Sequence, residues 1–129
     1  MAKNKVVLCD TNILIELSKS NIEVVEELRS IGSANIAVSS VSAGELIVGA
    51  LNKNDLNKIK KALAAIQVVY LNEVISLKSL ELLEAYSLSH GLDIPDSLIA
   101  ATALVNDLQL YTLNLKHFKF IKGLRLYTS

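Results

Sequence analysis

The sequence is poor in the residues that mark special structural classes. Its 129 residues include one cysteine, one proline, five glycines and no tryptophan. A single cysteine excludes an internal disulfide, and so little proline and glycine excludes a collagen-like or low-complexity chain. Hydrophobic residues make up 51% of the chain and charged residues 20%, which excludes intrinsic disorder. We therefore expect one folded domain spanning residues 1–129.

Long apolar runs are also missing. Charged residues interrupt every hydrophobic stretch well before the length of about 20 residues that a membrane helix needs. The first segment, MAKNKVVLCD, reaches Asp10 before any signal-type apolar stretch develops. These features predict a cytoplasmic protein that does not associate with membranes. Cys9 lies within the apolar run VVLC, which is typical of a small buried side chain.

An excess of charge of one sign is absent too. Thirteen basic and thirteen acidic residues cancel, so the net charge gives no argument for nucleic-acid binding. The distribution is uneven, however, because the segment after Asp107 contains Lys116, Lys119, Lys122 and Arg125 and no acid. This basic segment is either solvated loop charge or a surface that contacts phosphates.

Short β-rich segments alternate with longer segments of helical periodicity. The predicted strands are residues 5–9, 36–39, 68–71, 110–112 and 124–127. The predicted helices are residues 13–18, 22–31, 43–51, 56–66, 74–90 and 95–107. Strands joined by helical crossovers form a mostly parallel sheet with helices on its faces. The pattern therefore predicts a three-layer α/β/α fold with a central sheet of about five strands.

Three acids follow predicted strands or begin predicted helices. Asp10 comes directly after the first strand, Glu45 lies near the start of the helix after the second, and Asp96 follows Pro95 at the start of the last helix. The strand-to-helix turns of a parallel sheet open on one edge, where ligands bind. We therefore expect these three carboxylates to converge.

Each acid also has a purely structural explanation. Asp10 or Asn12 is a candidate cap for the helix that follows it. Two pairs have the three-residue offset of a capping box: Ser42 with Glu45, and Asp93 with Asp96. Capping also places the acids at helix N-termini on the same edge of the sheet. The structural and chemical explanations thus predict the same convergence.

Carboxylates that meet at one place repel each other unless a cation or a proton intervenes. Oxygen ligands favour Mg²⁺ or Mn²⁺ over zinc, which recruits histidine or cysteine. The candidates for zinc, His90, His117 and Cys9, lack the spacing of a zinc site. A divalent ion held by carboxylates orients water for phosphodiester hydrolysis. Spacing alone leaves open a nuclease, a phosphatase or a simple metal-binding module.

Four ordered segments resemble the PIN domain family, and within it the VapC-type ribonuclease toxins of toxin–antitoxin pairs. They are CDTNILIEL around Asp10, SAGELIVGA around Glu45, DSLIAATAL around Asp96, and LYTLNLKHF near the C-terminus. The resemblance covers essentially the whole chain. It implies a PIN-like fold and a Mg²⁺- or Mn²⁺-dependent endoribonuclease that leaves 5′-phosphate and 3′-hydroxyl ends.

The resemblance also assigns roles to individual residues. Asp10, Glu45 and Asp96 become metal ligands, with Asp10 and Asp96 holding the principal ion. Asn114 stands where the family commonly carries aspartate, and it is expected to position the attacking water or a weaker second ion. The site-shaping residues are Thr11, Asn12, Asp93 and Thr112. The candidate RNA contacts are Lys116, Lys119 and Arg125, with Phe118, Phe120 or His117 near them for stacking.

The resemblance implies three partners: an RNA substrate, a VapB-like antitoxin and a second copy of the chain. A groove formed by the early helices, around residues 13–17 and 46–51, is the expected antitoxin site unless these residues fill the domain's own core. The main alternative is a PIN-like interaction module with weak or no nuclease activity. An aspartate-nucleophile phosphatase is disfavoured because Asn12 stands where its second acid belongs.

Overall fold

The structure is a computed structural model and describes residues 5–128. In chain order its strands and helices are β1 (Val7–Cys9), α1 (Thr11–Ser18), α2 (Ile22–Ile31), β2 (Ile36–Ser39), α3 (Ser40–Val48), α4 (Lys53–Ala64), β3 (Gln67–Val69), α5 (Glu73–His90), α6 (Ile94–Val105) and β4 (Gln109–Tyr111). Two 3₁₀ turns lie at Ser33–Asn35 and Leu115–His117. No helix within residues 5–128 is both long enough and apolar enough to span a bilayer.

The sheet contains four hydrogen-bonded strands in the order β3-β2-β1-β4, and every neighbouring pair is parallel. The prediction of about five strands is wrong by one. The segment predicted as the fifth strand, residues 124–127, meets β4 through a single parallel bridge between Leu110 and Leu126. Backbone hydrogen bonds from Leu110 to Arg125 and from Tyr127 to Leu110 hold this segment at the edge without extending into a ladder.

The two faces of the sheet bury two separate cores, which confirms the three-layer arrangement. Because side chains alternate along a strand, Leu8 and Leu110 point to one face, and Val7 and Cys9 point to the other. The first face packs against α5, α6 and the fully buried Phe118. The second face packs against α1 and α2.

Three helices that begin at the carboxyl edge of the sheet are each capped by the residue before their first turn. Asp10 caps α1 and Asp93 caps α6, as predicted. The predicted capping box of Ser42 with Glu45 is wrong, because the α3 cap is Ser39, the last residue of β2. Its Oγ accepts a hydrogen bond from the backbone N of Ser42 at 3.2 Å. Each cap fixes the direction in which its helix leaves the sheet.

Candidate active site

Asp10 lies at the end of β1 in the centre of the sheet, and only 6% of its surface is exposed. Its Oδ1 accepts a hydrogen bond from the backbone N of Thr11 at 2.8 Å. Its Oδ2 accepts one from Thr112 Oγ1 at 2.8 Å and one from Asn12 Nδ2 at 3.3 Å. These three donors fix the orientation of a carboxylate that the fold holds largely out of water.

Thr112 and Asn12 connect β1 with the loop that follows β4. The Thr112 hydroxyl donates to Asp10 and accepts from the backbone N of Asn114 at 3.0 Å. Asn12 Oδ1 accepts from the backbone N of Leu113 at 3.3 Å. Because β1 and β4 are neighbouring parallel strands, segments about one hundred residues apart meet at this point. This network brings Asn114, an exposed residue, beside the Asp10 site.

Glu45 is joined to Asp10 through a single residue. Thr11 Oγ1 donates to Glu45 Oε1 at 2.7 Å, while the Thr11 backbone N donates to Asp10. Glu45 lies on α3, which packs beside α1, and it is exposed to solvent. Thr11 therefore holds two of the predicted acids as neighbours.

Asp96 lies in the first turn of α6 with its side chain 22% exposed. The backbone N of Asp96 donates to Asp93 Oδ1 at 2.9 Å, and Asp96 Oδ2 lies 3.2 Å from His117 Nδ1. The contact between His117 and Asp96 was not predicted from the sequence, which offered His117 only as a residue for stacking on RNA. The sequence contains a feature that could have indicated this contact. His117 follows Asn114 by three residues, and a 3₁₀ turn places residues with that spacing on the same side.

Burial and mutual repulsion raise the pKa of two of the acids. Burial raises the pKa of Asp10 and the charge of Glu45 adds to this, while the hydrogen bonds from Thr112 and Thr11 and the charge of His117 lower it. Burial, followed by the charges of Asp93 and Asp10, raises the pKa of Asp96 to about 6, against a lowering by His117. The charge of Glu45 therefore acts on Asp10, and the charge of Asp10 acts on Asp96, at one edge of the sheet.

Asp10, Glu45 and Asp96 are near one another, but they do not form a complete set of metal ligands. Among residues 5–128, no three histidine, cysteine, aspartate or glutamate side chains converge closely enough to hold a metal ion as they stand. Glu45 and Asp96 are more exposed than Asp10, which is buried, so Glu45 and Asp96 are the carboxylates with room to move. The donor set is oxygen-rich and negatively charged, which suits a hard divalent cation.

The structure separates the predicted RNA contacts. Lys116 and Lys119 are exposed on the segment that carries His117. Arg125 is not near these lysines. Its Nη2 lies 3.0 Å from Asp107 Oδ1, and Asp107 precedes β4 and therefore lies at the opposite edge of the sheet. Phe118 is unsuitable for stacking on RNA because it is fully buried in the core.

A groove of about 910 Å³ lies between α1, α3 and α4. Its walls include Ile15 and Leu17 of α1, Leu46 of α3, Leu51 after α3, and Ile59 of α4. Glu45 also lines the groove, so the groove reaches the acidic site. Ile13, which was predicted to contribute, is fully buried and belongs to the core.

Comparisons with known proteins give the family. The chain matches the PIN domain model over residues 7–122. Ribonuclease VapC10 from Mycobacterium tuberculosis is 34% identical over 121 residues, covering 92% of this chain and 90% of that protein. Ribonuclease VapC1 from Rickettsia felis is 30% identical over 131 residues, covering 94% of each.

A solved structure agrees with these sequence matches. A chain of the toxin–antitoxin complex from Klebsiella pneumoniae is similar to this chain with a TM-score of 0.79 and 30% identity, covering 92% of this chain and 94% of that one. The family match takes in β1 to β4 and therefore every acid of the site. The chain belongs to the PIN domain family.

Proposed function

We propose that this protein is a Mg²⁺- or Mn²⁺-dependent endoribonuclease and the toxin of a type II toxin–antitoxin pair. The observation that carries the proposal is the buried Asp10 carboxylate, held by three donors and joined through Thr11 to Glu45. Asp96 stands close enough for the charge of Asp10 to raise its pKa. The similarity to proteins named ribonuclease VapC supports RNA as the substrate.

The residues present fit a hard divalent ion. Asp10, Glu45 and Asp96 would hold it, and each carries oxygen atoms alone as donors. Two of these acids have raised pKa values in the absence of a cation, which is the condition that a bound cation relieves. When bound, the ion lowers the pKa of a water and offsets charge on a phosphoryl oxygen.

The side chains around the acids position the reacting groups. Thr112 and Asn12 keep Asp10 fixed, so the carboxylate does not reorganise when RNA arrives. Asn114 offers a neutral amide that positions the attacking water without adding negative charge. In-line attack of that water breaks the P–O3′ bond and leaves 5′-phosphate and 3′-hydroxyl ends. The reaction needs no attack by the ribose 2′-hydroxyl.

Cleavage of total RNA by purified protein tests the proposal. We expect cleavage with Mg²⁺ or Mn²⁺, none with EDTA, and none by Asp96→Asn under the same conditions. Asp107→Asn is the matched control, because Asp107 lies at the opposite edge and asparagine tolerates its positive φ of 51°. Circular dichroism verifies that each variant folds. Equal cleavage by wild type and Asp96→Asn would contradict the proposal.

A second candidate function is a PIN-like interaction module with weak or no nuclease activity. The presence of Asn114 favours it, because asparagine supplies one anionic ligand fewer than the aspartate that the family resemblance leads us to expect. Folded, partner-free protein that binds Mn²⁺ but leaves total RNA intact would support this module over the enzyme.

We further propose that a VapB-like antitoxin binds the groove between α1, α3 and α4. The similar Klebsiella chain was solved in a toxin–antitoxin complex. Ile15, Leu17 and Leu51 leave apolar surface exposed in this groove, which suits the apolar face of a partner helix. Because Glu45 lines the groove, a partner bound there reaches the catalytic acids and blocks them.

Co-purification with the product of the neighbouring antitoxin-like gene tests this partner. We expect Leu17→Asp to abolish co-purification, because it places a charge within an apolar contact. Leu88→Asp is the matched control, since Leu88 is fully exposed on α5 outside the groove. Retention of the partner by folded Leu17→Asp would exclude the groove as its site.

We also propose that the chain forms a homodimer. Sedimentation equilibrium at micromolar concentration should give twice the chain mass of 14.0 kDa. A mass of 14.0 kDa over the whole concentration range would contradict the dimer.

A further inference from the structure

Three aromatic rings form a cluster at the end of α5. His90 stacks on Phe120 with ring centroids 4.3 Å apart and planes inclined by 12°. Tyr86 meets both rings edge-on, at 5.8 Å from His90 and 5.2 Å from Phe120. Every other ring pair found in residues 5–128 is tilted. The near-parallel stack therefore distinguishes this cluster.

Two short segments of the chain connect the cluster with the candidate active site. His90 ends α5, and Asp96 follows it by six residues across a short turn. Phe120 follows His117 by three residues, and His117 contacts Asp96. Three residues span at most about 11 Å. The rings are therefore within reach of a nucleotide next to the one whose phosphate would meet Asp96.

The rings of the cluster are more exposed than a ring that only fills the core. His90 is exposed and Phe120 is half-buried, whereas Phe118, two residues earlier, is fully buried and fills the core. One face of His90 packs on Phe120. His90 therefore keeps exposed surface although its ring contacts both Phe120 and Tyr86, and this surface is open to a ligand.

Two lysines are near Phe120 in the sequence. Lys119 directly precedes Phe120 and Lys122 follows it by two residues, and both are exposed. The backbone N of Lys122 donates to Tyr86 Oη at 3.1 Å, which fixes this residue beside the cluster. Neither lysine has an acid within ion-pair distance among residues 5–128, in contrast to Arg125. Positive charge and open ring faces are the two features that single-stranded nucleic acid recognises.

We propose that His90 and Phe120 form a stacking platform for an RNA base next to the scissile phosphate, with Lys119 and Lys122 contacting the flanking phosphates. The inference rests on the proposed ribonuclease function and adds a positioning subsite to it. Stacking of one base on aromatic side chains strengthens binding by about 5- to 160-fold. Lys119 and Lys122 act through charge and depend on salt.

Steady-state cleavage of a single-stranded RNA containing a mapped site tests the platform. We expect His90→Ala to raise KM about tenfold at unchanged kcat, and we expect His90→Tyr to restore the wild-type KM because it keeps a stacking ring. Leu88→Ala is the matched control in the same turn of α5, since Leu88 is fully exposed and outside the ring cluster. For Lys122→Ala, the slope of log affinity against log salt should fall by about 0.7.

The competing explanation is that the rings only hold residues 118–122 against α5. In that case His90→Ala lowers Tm and leaves KM unchanged, which overturns the platform while the ribonuclease proposal stands. A KM for His90→Tyr as high as for His90→Ala also overturns it. If wild type cleaves no RNA, the ribonuclease proposal fails, and equal RNA affinities of wild type and His90→Ala in fluorescence anisotropy then overturn the platform as well.

Discussion

Asp10 and Asp96 lie near each other at one edge of the sheet, yet they differ in burial and in the number of hydrogen bonds that hold them. Asp10 is 6% exposed and accepts hydrogen bonds from three donors. The Asp96 side chain is 22% exposed, and its carboxylate has one hydrogen-bond partner among residues 5–128, His117. The comparison indicates a site built from a fixed carboxylate, Asp10, and a more exposed one, Asp96, so that the cation we propose would require movement of the exposed acids and not of Asp10.

Replacing Asp10, the fixed acid, should have the largest effect on cleavage. If Asp10 holds the proposed divalent ion, Asp10→Asn should reduce cleavage at least about 1,000-fold, because the substitution removes an anionic ligand that the fold keeps in place. The new amide also places a donor against either the Thr11 N–H or the Thr112 and Asn12 donors. Single-turnover cleavage at saturating enzyme measures the effect. Retention of a tenth of the activity would show that Asp10 is dispensable.

Loosening the fixed acid without removing it should have an intermediate effect. Thr112→Val deletes the hydroxyl that donates to Asp10 and accepts from Asn114, and we expect cleavage to fall about 10- to 100-fold. The free energy of unfolding should fall by about 1–3 kcal/mol. Thr102→Val is the matched control, because its buried hydroxyl donates to Leu98 O within α6. Thr102→Val should lower the free energy of unfolding and leave the cleavage rate unchanged. Equal cleavage rates for Thr112→Val and Thr102→Val would contradict the role of Thr112 in holding Asp10.

The more exposed acid should make the stability of metal-free protein depend on pH. The pKa of Asp96 is raised from 3.8 to about 6, so its neutral form is favoured in the fold. Its stabilising contribution is fully present below pH 3.8 and is lost as the pH rises through about 6. At pH 7, Asp96→Asn should therefore be more stable than wild type by about 1 kcal/mol, a figure reduced for solvent screening. Urea unfolding with EDTA at pH 5 and pH 7 measures this, and a less stable Asp96→Asn at pH 7 would contradict it.

A smaller effect concerns two serines at the start of α3, the helix that carries Glu45. Ser39→Ala should lower the free energy of unfolding by about 1 kcal/mol, because the Ser39 hydroxyl caps the helix. Ser42→Ala should change it by less than about 0.5 kcal/mol, because the buried Ser42 Oγ has no hydrogen-bond partner in the structure of residues 5–128. Urea unfolding of the two variants decides between them. A larger loss for Ser42→Ala would reverse this assignment.

Much of the fold and of the acidic site could be predicted because both depend on local patterns. Asp10 after an apolar run and Asp93 before Pro95 have spacings that strand ends and helix caps impose. Parallel strand topology then brings their neighbours to one edge. The three-layer arrangement follows from the same alternation of strands and helices.

The remainder depends on contacts that no local pattern contains. Residues 124–127 have strand-like composition, but they lie at the sheet edge and make only one bridge. Arg125 has the charge for an RNA contact, but Asp107 binds it at the other edge of the sheet. His117 contacts Asp96 because α6 and the loop after β4 meet in three dimensions. Each case depends on a partner distant in sequence.

Divalent-ion binding in the absence of RNA tests the central claim most directly, namely that Asp10 and Asp96 share a cation. Isothermal titration of Mn²⁺ into wild type, Asp10→Asn, Asp96→Asn and Asp107→Asn compares the two site acids with an acid at the opposite edge. We predict that wild type and Asp107→Asn bind Mn²⁺ equally, and that each site variant binds at least about tenfold more weakly. Equal affinity in all four proteins would contradict the account.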